Sequence, residues 1–204
     1  MIKKIFHSSD WHYSHNRNKD NFWEVANNYL DKIKKIIKDE NLKEGEFIQV
    51  IAGDLFDRYL YSSVDDFINI NKFLELCDEI SKTFTFIGNH DYNINNPSQG
   101  DMLTKVFDHG SFNQTFFYRD CAIIQIDNIT LYHISKYQNN KFPYDSISEF
   151  DDSQVNLGIY HDALKEASVD GHSDKFSFFR DKPSVEQFNG LDAVIMGDIH
   201  KRQV

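Results

Sequence analysis

Two rhythms of apolar and polar residues alternate along the first half of the chain. The stretches KKIFHSS (3–9), EFIQVIAG (46–53) and TFTFIG (83–88) are short and apolar, the last two running into a glycine, and each has the length of a strand. Between the first two, residues 21–39 follow a helical period that puts Phe22, Val25, Tyr29, Ile33 and Ile36 or Ile37 on one face. Residues 62–82 read as a second helix, entered from a serine cap. A β-α-β-α-β succession predicts an α/β sheet with helices on its faces. Past residue 110 the rhythm changes. SFNQTFFY (111–118), CAIIQI (121–126) and ITLYHISKY (129–137) read as strands, with Asp127-Asn128 as a tight turn between the last two. VNLGIYHD (155–162) and DAVIMGD (192–198) read as two further buried strands, and 137–153 and 165–184 as loops or insertions.

Composition adds bounds to this picture. A chain of 204 residues with 40% hydrophobic and 26% charged residues is most economically one domain with a real core. No apolar run is long enough to span a membrane, and MIKKIF is followed by polar HSSD, not by the apolar segment of a signal peptide. Cys77 and Cys121 are too few for a disulfide framework, so a reducing cytoplasm is the expected compartment. The net charge of −10 argues against a protein that coats nucleic acid by charge alone. It leaves room for an enzyme whose site is made positive by bound cations.

Five patterns fall at the ends of these strands: Asp10-Trp11-His12, Gly53-Asp54, Gly88-Asn89-His90-Asp91, Gly158-Ile159-Tyr160-His161 and Gly197-Asp198-Ile199-His200. Sites in α/β sheets gather at the carboxyl ends of strands. On an extended segment, residues i and i+2 point the same way. Asp10 and His12 are therefore expected to share a target with Trp11 on the opposite side, and Asp198 and His200 likewise. Oxygen and imidazole donors without thiolate suit manganese, iron, magnesium or catalytic zinc. Seven candidate ligands (Asp10, His12, Asp54, Asn89, His161, Asp198 and His200) are too many for one ion. They suit two ions sharing a carboxylate, roughly 3.5–4 Å apart as in hydrolytic two-metal sites. Nearby, His15 with Arg17 and Lys19 offers a path for nucleic acid, against the plainer reading of a solvated loop. His7 reads as a core residue of the first strand.

In this order the patterns resemble the calcineurin-like metallophosphoesterases, whose hallmarks are D-x-H, G-D, G-N-H-D/E, H and G-H-x-H. IFHSSDWH with IAGDLFD is most similar to the SbcD-type DNA repair exonucleases, including their phage recombination-nuclease relatives. The resemblance implies a two-sheet sandwich flanked by helices. It implies that Asp10, His12, Asp54 and His200 hold one ion and Asp54, Asn89, His161 and Asp198 the other, with Asp54 bridging. The family usually has histidine where this chain has Asp198. A carboxylate there makes the second site harder, favouring manganese or magnesium over zinc. By the same resemblance His90 is a catalytic group near the scissile phosphate, and Asp57 matches the acid that orients this histidine in related phosphatases. Arg58, the next residue, offers a phosphate contact, beside the plainer reading of a surface arginine.

The function so implied is a metal-dependent DNA nuclease subunit of repair or recombination, exonuclease or endonuclease, with two divalent ions, manganese first and magnesium second. Its implied partners are DNA and an SbcC-type coiled-coil ATPase, with a homodimer also open. The alternative is a phosphomonoesterase or small-nucleotide phosphodiesterase, because GDLFDR resembles the phosphatases' G-D-x-x-D-R. Those enzymes carry G-N-H-E where this chain has GNHD. A scaffold that keeps the fold without catalysis ranks last, since every ligand position is filled and His90 is present. The resemblance also implies further strands, a cap and a partner-docking segment after the last motif, for which KRQV leaves no room. Residues 1–204 are therefore expected to be the catalytic part of a longer parent, or a short form completed by another chain.

Overall fold

The computed structural model describes residues 1–137, 150–151, 153–165 and 182–198. His200 lies outside the described residues, as do most of the two stretches read as loops. The strands form two four-stranded sheets. In the first, β1 (Lys4–Ser8), β2 (Phe47–Ala52), β3 (Thr83–Phe86) and β4 (Thr115–Tyr118) are parallel and lie in chain order. In the second, β5 (Ala122–Ile126) and β6 (Ile129–Ile134) form an antiparallel hairpin, with Asp127 of its turn at φ 54°. Strands β7 (Val155–His161) and β8 (Ala193–Gly197) extend that sheet in parallel.

Strand β2 explains the layering. All six of its residues are buried, as a parallel strand covered on both faces requires. Ile48, Val50 and Ala52 face the second sheet, where Phe84, Phe86, Ile129, Leu131, Leu157 and Ile159 complete one apolar layer. Alternate residues turn to the helices. Ile51 joins Leu55, Ile70, Phe73 and Leu74, and Gln49 donates through Nε2 to the Cys77 carbonyl at 3.0 Å. Each fully buried Leu, Ile or Phe in these layers contributes roughly 1.5–3 kcal/mol. The result is an α/β sandwich of two mostly parallel sheets flanked by helices, as the strand pattern and the resemblance imply.

The helices are α1 (His15–Asp39), α2 (Val64–Asp78) and α3 (Met102–His109). The buried stripe of α1 is Phe22, Ala26, Leu30 and Ile33, while Val25 is 56% exposed. The stripe is turned relative to the expected face: Ala26 packs with Phe22 and Leu30 in the layer that holds Ile51. Helix α2 begins with a capping box, Ser63 accepting from Asp66 N and Asp66 from Ser63 N. Helix α3, too short for its period to be read, starts at Asp101, which accepts from Thr104 N at 2.6 Å. His7 is exposed on β1, not a core residue. Among the described residues, no helix is long and apolar enough to cross a membrane.

Candidate metal centre

Strands β1, β2, β3, β7 and β8 bring their carboxyl ends together, with the described residues of the five patterns at or just after those ends. The loop after β1 continues to pair with the loop after β2: Asp10 N donates to Gly53 O (3.1 Å), His12 N to Asp54 O (3.0 Å) and Tyr13 N to Leu55 O (2.9 Å). This is not the extended segment expected from sequence. Asp10 (φ 56°), His12 (45°), Asp54 (55°) and Asp198 (78°) all occupy the left-handed region. Each such residue costs roughly 1–3 kcal/mol, a strain that the surrounding packing must hold. Trp11 lies on the opposite side as expected, packed on Phe22, Tyr29 and Phe73. At Gly88 a Cβ would collide with the Asp54 carboxylate and main-chain nitrogen, so only glycine permits the loops after β2 and β3 to close on each other.

Asp54 sits at the floor, 1% exposed, between two sets of donors. One comprises Asp10, His12 and Asp54, the other Asp54, His161 and Asp198, and within each set the ligand atoms lie within 4.8 Å of one another. His161 Nε2 is 3.1 Å from Asp54 Oδ2, and His12 Nε2 is 3.7 Å from the same oxygen. Asp198 N donates to Asp10 Oδ1 at 2.9 Å, tying the end of β8 to the loop after β1. His161 Nδ1 donates to the Ala52 carbonyl (2.5 Å), which orients the ring so that Nε2 faces Asp54. Burial opposes charge on His161, but Asp54 prevails and holds the imidazolium up to about 9. Burial also opposes ionisation of Asp10, yet bonds from His12 and Ser9 keep its carboxyl well below the usual range. Asp198 is raised, chiefly by burial.

The profile of the family described as calcineurin-like phosphoesterase matches residues 3–202, nearly the whole chain. The chain belongs to that family. It is therefore a metal-dependent phosphoester hydrolase of the metallophosphoesterase superfamily. No curated protein matches it closely enough to serve as a named relative.

Divalent ions, which this phosphoesterase family binds, fit the donors. Asn89 turns its carbonyl oxygen to the Asp54 oxygens (3.2 and 3.1 Å) and to His161 Nε2 (3.1 Å), acceptor against acceptor. With oxygen and nitrogen exchanged, the same amide would donate to all three. When unprotonated, the carboxylates and imidazoles of the two donor sets are the mix of oxygen and nitrogen ligands that such ions take.

His90 lies beside this cluster with its ring 4.6 Å from that of His12. Its main-chain nitrogen donates to Asp54 Oδ1 at 2.8 Å, and its Nδ1 donates to the main-chain carbonyl of Asp57. The orienting contact expected of the Asp57 carboxylate is thus made by its backbone. The carboxylate pairs instead with Arg17 (2.8 Å), with Arg58 Nε at 3.9 Å. His12, Asp57 and His90 nonetheless form a third set of clustered donors. Arg58 is exposed and borders a cavity that also touches Asn89 and His90. His15 heads α1 with Nε2 3.9 Å from Asp65, and among the described residues it has no contact with the centre.

Asp91, the last residue of GNHD, has a part that sequence reading missed. Fully buried, it accepts from Gly88 N (2.8 Å), Asp54 N (3.0 Å) and Phe56 N (3.0 Å), locking together the loops after β2 and β3. Burial, with the Asp54 charge added, pushes its carboxyl up to about 7. The available signal was an acid closing a Gly-rich turn whose amides need an acceptor.

Proposed function

We propose that this phosphoesterase cleaves phosphodiester bonds in DNA, with manganese as the preferred ion and magnesium as a substitute. The observation that carries the step from phosphoester to nucleic acid is the surface around the centre. Among the described residues, cavities border it or lie beside it. One of about 390 Å³ reaches from Asp10 along Trp11, Asn18 and Asn21, one of about 240 Å³ lies over Asp57, Arg17 and Arg58, and another of about 240 Å³ runs from Asn89 and His90 past Tyr59 and Ile94. Several clefts around one centre give a strand of linked units more than one place to lie. The SDWH and GNHD sequences support the same reading.

On this reading, Asp10, His12, Asp54 and His200 hold one ion, and Asp54, Asn89, His161 and Asp198 the other. The ions, when bound, supply Lewis-acid stabilisation of the phosphate and acidified water for attack. His90, with Nδ1 committed to the Asp57 carbonyl, has Nε2 left to carry a proton to the departing oxygen. Arg58 meets a neighbouring phosphate. The working assembly is cytoplasmic and includes an SbcC-type coiled-coil ATPase, with two copies of this chain.

Hydrolysis of single- and double-stranded DNA, of bis(p-nitrophenyl) phosphate and of p-nitrophenyl phosphate, each with and without manganese, tests the proposal. Manganese-dependent cleavage of DNA and of the small diester is expected. Turnover confined to the monoester would overturn it.

A further inference from the structure

One cluster of charged side chains beside the centre has no part in what has been described. Asp162, the residue after His161, is 4% exposed at the end of β7. Its carboxylate accepts from Lys182 Nζ at 2.7 Å on each oxygen and from Lys136 Nζ on Oδ2. Lys136 stands two residues beyond β6, and Lys182 comes from the segment ahead of the 3₁₀ turn Val185–Phe188. Both lysine side chains are largely covered, 18% and 24% exposed.

Holding two ammonium groups on one carboxylate leaves a surplus positive charge in a chain whose net charge is −10. One lysine would balance the charge of Asp162, so a second adds a positive charge that this carboxylate leaves unbalanced. The next acid whose charge reaches Lys182 is Asp198. That carboxylate belongs to the donor set of the metal centre, so its charge is spent when cations bind. The surplus on the lysines is then largest in the loaded enzyme. Each ammonium has three N–H donors, and among the described residues Asp162 is the acceptor that both share. Donors remain for an oxyanion.

We propose that Lys136 and Lys182, aligned by Asp162, form a phosphate subsite beside the metal centre that holds a phosphate of the substrate strand next to the scissile one. This rests on the nucleic-acid reading above. It explains why the residue following His161 is a buried acid with two cations: the carboxylate sets the spacing of the ammoniums, and the strand supplies the missing counter-charge.

The test is the affinity of the manganese-loaded protein for a fluorescent phosphorothioate oligonucleotide, measured by anisotropy across a salt series. Lys136→Met and Lys182→Met keep the apolar stems and remove one charge each. Each is expected to weaken binding about tenfold and to lower the slope of log affinity against log salt by about one. Lys182→Arg is expected to keep the wild-type slope, because it keeps the charge. Unchanged affinity and slope in both methionine variants would overturn the subsite. Weaker binding at an unchanged slope would overturn it too, since that is the signature of a clamp that only steadies His161. Failure of the underlying reading looks different: the wild type would hydrolyse bis(p-nitrophenyl) phosphate yet show no salt-dependent affinity for the oligonucleotide, and the subsite would fall with it.

Discussion

Asp54 is the residue on which both donor sets of the centre converge, and its carboxylate also receives the His90 amide. Replacing it by Asn keeps the shape but removes the shared anion, so Asp54→Asn is expected to abolish manganese-dependent hydrolysis. Retention of more than a few per cent of wild-type activity would rule out a bridging role. His90 makes a different prediction. Its ring is held by a main-chain carbonyl, outside the sets that contain Asp54. His90→Ala should leave manganese affinity by calorimetry near the wild-type value and cut turnover by about 10²–10⁴-fold, the span of a lost general acid. Lost metal in that titration would make His90 a ligand. A third histidine bears on stability. His133, on β6, is 2% exposed and donates to the Asp120 carbonyl at 2.8 Å; burial pushes its imidazole down to about 4 from an ordinary 6.5. The folded protein resists the proton that the unfolded chain accepts. Its contribution is therefore fully present above about pH 6.5 and is lost as pH falls toward 4, amounting to about 3 kcal/mol. Urea unfolding of His133→Asn should show a flatter acid limb than the wild type, and identical limbs would refute the assignment.

At the scale of elements, the centre depends on how strands end. The loops after β2 and β3 touch at Gly88, where a methyl group would strike Asp54, and Asp91 then bonds the amides of both loops. Gly88→Ala is expected to lower manganese affinity by at least tenfold while the far-ultraviolet circular dichroism stays that of the wild type, because the collision lies beyond the last paired residue, Phe86. Affinity equal to wild type would mean that the loops yield without disturbing the donors. The strands were legible because short apolar runs write them directly into the sequence. β2 and β7 were found almost to the residue. What the sequence could not reveal is the conformation after the strands. Asp10, His12, Asp54 and Asp198 take left-handed φ through pairing between loops distant in sequence, and nothing in the residue types demands it. The face of α1 misled for a related reason: Val25 and Ala26 are both apolar, and their residue types do not decide which is buried. The contact of Asp57 with His90 is made by a main-chain carbonyl, which leaves no trace in side-chain chemistry.

At the scale of the molecule, the donors come from both layers of the sandwich. Asp10, His12, Asp54 and Asn89 follow β1, β2 and β3 of the first sheet, while His161 and Asp198 belong to β7 and β8 of the second. Among the described residues, polar contacts join the two layers at this end. Among these are the His161 bonds to Ala52 and Asp54 and the Asp198–Asp10 bond. Ions shared by the two donor sets would join the sheets at their carboxyl ends and bind only the folded state. Manganese is therefore expected to stabilise the whole fold, not a loop. At a free concentration near one hundred times the dissociation constant, the gain is about 2.7 kcal/mol for one site. In a chain of this size that corresponds to a rise in Tm of about 5–10 °C. The chelator EDTA should reverse it. His161→Ala, which removes a donor contributed by the second sheet, should lose most of the manganese-dependent rise, whatever its Tm without metal. A variant that kept the full rise would show that the ions bind within the first sheet alone, and the centre would then not be the joint between the two layers.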